Sequence, residues 1–67
     1  RYIERLSSVK VGDSYERMIS KVEIKPHNVD CYKSRTYKSC SAVYNITAYD
    51  KVIFTFANGN NVTSIYF

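Results

Sequence analysis

From Val9 to Pro26 the chain reads VKVGDSYERMISKVEIKP, and its apolar positions fall at helical spacing. Tyr15, Met18, Ile19 and Val22 sit at i, i+3, i+4 and i+7, with Glu16, Arg17, Ser20 and Lys21 on the opposite side. Such a stripe needs a partner surface to bury it. Asp13 and Ser14 are both good N-cap residues, and Asp13 with Glu16 three positions later fits a capping box. Gly12 before them tolerates the positive φ of a sharp connection. Pro26 cannot continue the helix and pushes Lys25 out of the α region, which places the helix end near Val22 or Glu23. Upstream, Tyr2, Ile3 and Leu6 predict a first helix of about two turns, and Val9 and Val11 flank Lys10 in a short extended link.

From Asn28 onward the period changes to two. A strand around Val29 to Lys33, a polar turn through Ser34 to Thr36 and a returning strand from Tyr37 or Ser39 make a hairpin. Ala42, Tyr44, Ile46 and Ala48 alternate with Val43, Asn45 and Thr47, as in a strand with one buried face. Tyr49, Asp50 and Lys51 read as a turn. Val52, Phe54 and Phe56 alternate with Ile53, Thr55 and Ala57, then Asn58, Gly59, Asn60 and Asn61 give a turn signal before a last strand from Val62 to Phe67. A four-residue turn pairs Phe54 with Ile65 and Val52 with Phe67 on the core face and leaves Val62 and Tyr66 outside; a bulge reverses that register. The expected architecture is a single α+β domain over residues 1–67, two N-terminal helices packed on one face of a three- to four-stranded antiparallel sheet, with the other sheet face open.

Composition limits what this domain can be. A chain of 67 residues lies near the lower size at which one core outweighs chain entropy. Its hydrophobic share of 45%, with seven Tyr, three Phe, two Gly and one Pro, is that of a folded chain and not a disordered one. The formal charge of +4, from ten Lys and Arg against six Asp and Glu, favours anionic partners and is also an ordinary solubility charge. No apolar run is long enough for a membrane-spanning helix, and no secretory apolar segment is present. The sequence opens on Arg1, which raises the expectation of a processed or excised domain, membrane-attached only through an anchor upstream of Arg1.

Cys31 and Cys40 are the only cysteines, and their hairpin-like spacing suits a disulfide. Closing so short a loop contributes roughly 2 to 3 kcal/mol in the chain-entropy model, a large share of a net stability of about 5 kcal/mol. A disulfide implies an extracytoplasmic place, periplasmic, cell-surface or secreted; two reduced cytosolic thiols are the alternative.

The run Val9-Lys10-Val11-Gly12-Asp13-Ser14, followed by Met18, Val22 and Pro26, resembles the signature of the SmpA/OmlA-type (BamE-like) small bacterial envelope lipoprotein domain. Its members read apolar, variable, apolar, then Gly-Met-Ser or Gly-Met-Thr opening a helix that ends before Leu-Gly-x-Pro. Phe54-Thr55-Phe56-Ala57-Asn58-Gly59, with Val62 and Ile65 after it, is similar to the family's strand, Gly turn and closing strand. The resemblance extends to the fold of each half of the β-lactamase inhibitor protein, in which a short-range disulfide pins the sheet. Asp13 stands where the family has Met, Glu23 replaces the Gly of Leu-Gly-x-Pro, and Pro26 falls one place late, so the resemblance is to a divergent member. It implies helices over an antiparallel sheet and a protein partner in the envelope or outside the cell, in an assembly-accessory or inhibitor-like role.

Candidate chemistry is sparse. His27 with Asp30, Cys31 and Cys40 has the ligand types of a zinc site but no standard spacing, and oxidised cysteines would abolish it; the plainer reading is a loop histidine. One loop His without a flanking signature gives no triad, six scattered acids give no paired acid and base, and two distant Gly give no phosphate loop. No enzyme activity, cofactor, metal or small-molecule substrate is therefore expected. Asn45-Ile46-Thr47 and Asn61-Val62-Thr63 satisfy the N-glycosylation sequon and are read as chance products of Thr-rich strands and Asn-rich turns.

The segment Tyr32-Lys33-Ser34-Arg35-Thr36-Tyr37-Lys38 interleaves three cations and two aromatics at a hairpin tip. It suits a protein surface, or single-stranded nucleic acid through stacking and phosphate contact, or simple solvation. Tyr15 and Tyr44 read as core residues with hydroxyls reaching solvent, whereas Tyr32, Tyr37 and Tyr66 read as exposed interface anchors. The leading expectation is an extracytoplasmic protein-binding module using Tyr32, Lys33, Arg35, Tyr37, Lys38 and Tyr66. Behind it stand a structural domain of a larger lipoprotein or cell-wall protein and, third, a small nucleic-acid binder.

Overall fold

The helix read from the Val9–Pro26 stretch forms as α2 (Tyr15–Val22), with Met18 and Val22 fully buried and Tyr15 and Ile19 packed beside them. Its computed structural model describes residues 1–58 and 60–67 of the chain. Ser14 is the N-cap, its Oγ accepting the Arg17 N–H at 3.1 Å. Asp13 does not form the expected capping box. Its carboxylate instead accepts the Lys10 N–H at 2.9 Å and the Lys21 ammonium at 2.7 Å, with Arg17 Nε 3.7 Å away. Those contacts, Lys21 first and the Lys10 N–H next, hold the Asp13 carboxyl below its usual range. Lys21 also donates to the Ser8 carbonyl at 3.0 Å, so one ammonium ties together the end of α1 (Tyr2–Ser7), the connecting loop and α2.

The remaining elements are β1 (Asn28–Lys33), β2 (Lys38–Asn45), β3 (Lys51–Phe56) and β4 (Val62–Tyr66), an antiparallel meander in the order β1-β2-β3-β4. Ala42, Tyr44, Val52, Phe54, Phe56 and Val62 from the sheet meet Leu6, Val9, Met18 and Val22 in one buried core. Tyr44 and Phe54 pack edge to face at 5.9 Å, and Tyr15 and Phe56 at 5.4 Å.

The expected picture of two helices laid as a cover on one sheet face requires correction. The fold is a small α+β unit dominated by its four-stranded sheet, and the helices have only six and eight residues. Every residue of β1 is exposed on both of its faces, so the helices shield only the β2–β4 part of the sheet. The last register also differs in part from expectation. Phe54 pairs with Ile65 as expected, but a bulge between Thr55 and Phe56 places Phe56 opposite Val62, so Thr63 is extra on β4. Val62 therefore turns into the core, while Phe67 lies beyond β4 and is 82% exposed instead of facing Val52. Of the expected Asn58–Asn61 turn, Gly59 lies outside the described residues; Asn60 adopts φ 60° and donates its N–H to Ala57 O at 2.8 Å.

Tyr44 is wholly buried, and its hydroxyl donates to Ile24 O at 2.7 Å instead of reaching solvent. Burial, with smaller effects of the Tyr15 and Tyr2 phenols, pushes its pKa up to about 12. Since the folded value is raised, the stabilisation is complete below about pH 10, the ordinary tyrosine value, and is lost as pH rises towards about 12. Urea titrations at stepped pH are expected to show stability falling across this window, and Tyr44→Phe to flatten the fall; an equally steep decline in the variant places the titration on another group.

At the other end of α2, Glu23 caps the helix with φ 71°, a left-handed conformation that a side chain disfavours and glycine accepts. Its exposed contact with Arg5, at 3.6 Å, adds little. Glu23→Gly is expected to stabilise the domain by roughly 0.5 to 1 kcal/mol, read as a higher urea midpoint. A lower midpoint would give the Arg5 pair the greater weight.

Candidate interaction surface

Strand alternation sorts the side chains of the sheet into two faces. Opposite the core, one cross-sheet row runs Asn28, Val43, Ile53, Tyr66 and the next runs Asp30, Ser41, Thr55, Ser64. Neither helix covers this face. The second row is a band of hydroxyls: Thr55 Oγ1 meets Ser64 Oγ and lies 3.3 Å from Thr63 Oγ1, which the bulge brings to the same side.

Five of the six sequence-predicted binding residues gather at one end, where residues 31–38 are exposed throughout. The β1–β2 turn closes with the Ser34 N–H donating to Tyr37 O at 2.7 Å. That fixes the order of the hairpin: Tyr32 faces Ser39, Lys33 faces Lys38, and Arg35 lies in the turn. Tyr32 and Tyr37 are 66% and 46% exposed. Among the described residues the ion pairs are Arg1–Glu4, Arg5–Glu23, Arg17–Asp13 and Lys21–Asp13, so Lys33, Arg35 and Lys38 meet no carboxylate. Two lysines directly opposed on one face repel each other, and among the described residues no carboxylate forms an ion pair with either.

The sixth residue, Tyr66, is elsewhere. It lies three strands across and four residues along from Tyr32, a separation on the order of 20 Å from strand spacings. Tyr66 instead lines an open groove of about 420 Å³ with Ile46, Tyr49, Asp50, Lys51, Ile53 and Phe67. Tyr49 is 93% exposed because Thr47 and Asp50 fold the turn around it: the Thr47 hydroxyl donates to Asp50 Oδ2 at 3.0 Å and accepts the Tyr49 and Asp50 N–H groups. The turn expected at Tyr49 thus presents an exposed aromatic, and Phe67, expected on the core face, lines this groove instead. An aromatic inside a Thr-x-x-Asp turn is the signal for the first; the second follows from β4 ending at Tyr66, one residue short of a partner for Val52.

The four zinc-ligand types do not come together as a site. Cys31 and Cys40 are directly paired across β1 and β2 and joined as a disulfide, which removes both thiolates. His27 uses Nδ1 to accept the Asn45 N–H at 3.0 Å, while its own N–H donates to Val43 O at 2.9 Å. This histidine therefore fastens the start of β1 to β2. The disulfide is compatible with an extracytoplasmic location.

Comparison with protein-family models, with curated proteins and with solved structures finds no match to this chain. The surface is thus read from its own geometry. Because β1 buries no residue, the disulfide supplies a main constraint on the hairpin. Cys31→Ala with Cys40→Ala is expected to lower stability by about 2 to 3 kcal/mol, measured by urea unfolding. A loss below about 1 kcal/mol would show that β-pairing alone holds β1 in place.

Proposed function

We propose that this domain is a non-enzymatic protein-binding module acting outside the cytoplasm, in a bacterial envelope or beyond it, and that its partner presents an acidic surface. One observation carries the reading: Lys33 stands directly opposite Lys38 with Arg35 beside them, no carboxylate near, and two exposed tyrosines interleaved. Like charges at opposed strand positions weaken a hairpin, so the arrangement gains most when a partner's carboxylates approach. Tyr and Arg at such a site are the residue types that anchor interfaces, Tyr through a large ring held by two torsions and Arg through its planar guanidinium fork. The disulfide favours a partner met in an oxidising compartment.

We also place the chain as a divergent relative of the SmpA/OmlA-type envelope domains. The support is the capped helix after Gly12 and the position of Glu23, which holds the positive φ suited to the glycine of the family's Leu-Gly-x-Pro. That placement agrees with a role in holding another protein.

The test is affinity capture from a native envelope fraction with the oxidised domain, followed by titration of the captured protein in purified form. Arg35→Ala with Tyr37→Ala is expected to weaken binding about tenfold or more, while urea stability stays within about 0.5 kcal/mol of the parent. Raised salt should weaken the parent's binding in parallel. Equal loss of folding and binding, or capture indifferent to both substitutions, would remove the hairpin end as the site.

A further inference from the structure

The free edge of β1 lies beside the uncompensated cations and is in a state to receive a strand. Ser34 and Tyr37 form a hydrogen-bonded pair at the turn, and antiparallel pairing alternates from there. Tyr32, Asp30 and Asn28 therefore direct their main-chain groups toward β2. Val29, Cys31 and Lys33 direct theirs outward, presenting three N–H and three C=O groups without a strand partner. All six residues of β1 are exposed, and no proline interrupts it. The opposite edge differs: Gly12 N–H donates to Val62 O at 2.8 Å and Val62 N–H to Asp13 O at 2.7 Å, and Ser14 bridges to Asn61, so the connecting loop blunts the start of β4. The disulfide at Cys31 keeps β1 in register with β2, which leaves its outer groups preorganised.

We propose that β1 binds an extended acidic segment of the partner protein as an added antiparallel fifth strand. This rests on the protein-binding reading above and specifies the form of the partner. Side-chain positions set the recognition pattern. On the face shared with the disulfide, the incoming strand lies against Lys33, Cys31 and Val29 in turn, so it carries an acidic residue first and apolar residues at the next two alternate positions. A residue upstream of the acid reaches Arg35, and the same carboxylates compensate Lys38 across the hairpin.

A second copy of β1 fits less well. Self-pairing that satisfies the outward groups must align odd-numbered residues with odd-numbered ones, so Lys33 never faces Asp30. The alignments that remain set Lys33 against Val29, Cys31 or another Lys33. Charge complementarity thus selects an acidic strand.

The probe is the peptide acetyl-Asp-Thr-Glu-Thr-Val-Thr-Val-amide, whose Glu would face Lys33 and whose two Val would face Cys31 and Val29, titrated into the nitrogen-labelled oxidised domain. Saturable shifts are expected, with slowed amide exchange at Val29, Cys31 and Lys33. Methylating the backbone nitrogen of the Val that faces Cys31 should abolish binding. Lys33→Glu with Lys38→Glu should weaken it about tenfold or more. Val29→Pro should block it too, and the fold should tolerate that change because the Val29 N–H points away from β2; circular dichroism checks this, and the charge-reversed variant stands if it does not. No saturable binding, or binding that leaves exchange at those three amides unchanged, overturns strand addition. Capture of the envelope partner by the Val29→Pro domain with undiminished affinity would also overturn it while leaving the protein-binding reading in place. Failure of the parent domain to capture any partner would be the failure of that reading instead.

Discussion

The hydrogen bond from the Tyr44 hydroxyl to Ile24 O holds the two halves of this fold to each other. Ile24 belongs to the short connection that leaves α2 at Glu23 and arrives at β1, while Tyr44 stands near the C-terminal end of β2 with its ring against Phe54. His27, edge-on to the same ring at 6.2 Å, repeats the tie through its bonds to Val43 and Asn45. A buried phenol without its acceptor would carry the full cost of desolvation, so ring burial and the position of the connection depend on each other. The chain thereby passes from the helical layer to the edge of the sheet without a buried residue in β1 itself.

The exposed surface follows from a mismatch of sizes. Helices of six and eight residues span about 9 and 12 Å, whereas an eight-residue strand runs about 27 Å and four strands extend about 15 Å across. Two such helices cannot shield the whole sheet face. They cover β2 to β4, where Val52, Phe54, Phe56 and Val62 face them, and leave β1 in water on both sides. The region assigned to partner binding is the part of the sheet that the helices fail to reach.

How much of this could be read in the sequence depended on the range of the interaction involved. The stripe of Tyr15, Met18, Ile19 and Val22, the stop before Pro26 and the strand alternation around Phe54 are local patterns, and each formed where its period placed it. Asp13 misled because Asp and Ser are equally good caps; the choice fell to Lys21, eight residues away, which drew the carboxylate aside. Val62 turned inward through one bulge at Thr63, a feature without a sequence signature strong enough to outweigh simple alternation, whereas Phe67 is exposed because β4 stops one residue before it. The extent of helical cover was invisible for a related reason, since it depends on lengths and register across the whole sheet. The hairpin cations were legible as a composition. That Lys33 faces Lys38, and that Tyr66 stands apart from them, needed the pairing.

An edge strand that buries nothing is a poor element on thermodynamic grounds, because a hairpin in water is marginal and opposed lysines weaken it further. The Cys31–Cys40 bridge answers this at the right place. Cys40 packs against the core beside Phe56, and Cys31 is its direct partner in the exposed strand, so the covalent bond anchors β1 to the buried part of the molecule. Lys33 and Lys38 are only two residues beyond it, close enough that their repulsion cannot part the strands. Stability is therefore supplied by the core and one bond, and the side chains of the hairpin end are released from any packing duty. A surface relieved of packing can keep its charges unpaired and its main-chain groups open, the condition in which an incoming acidic strand has most to offer it.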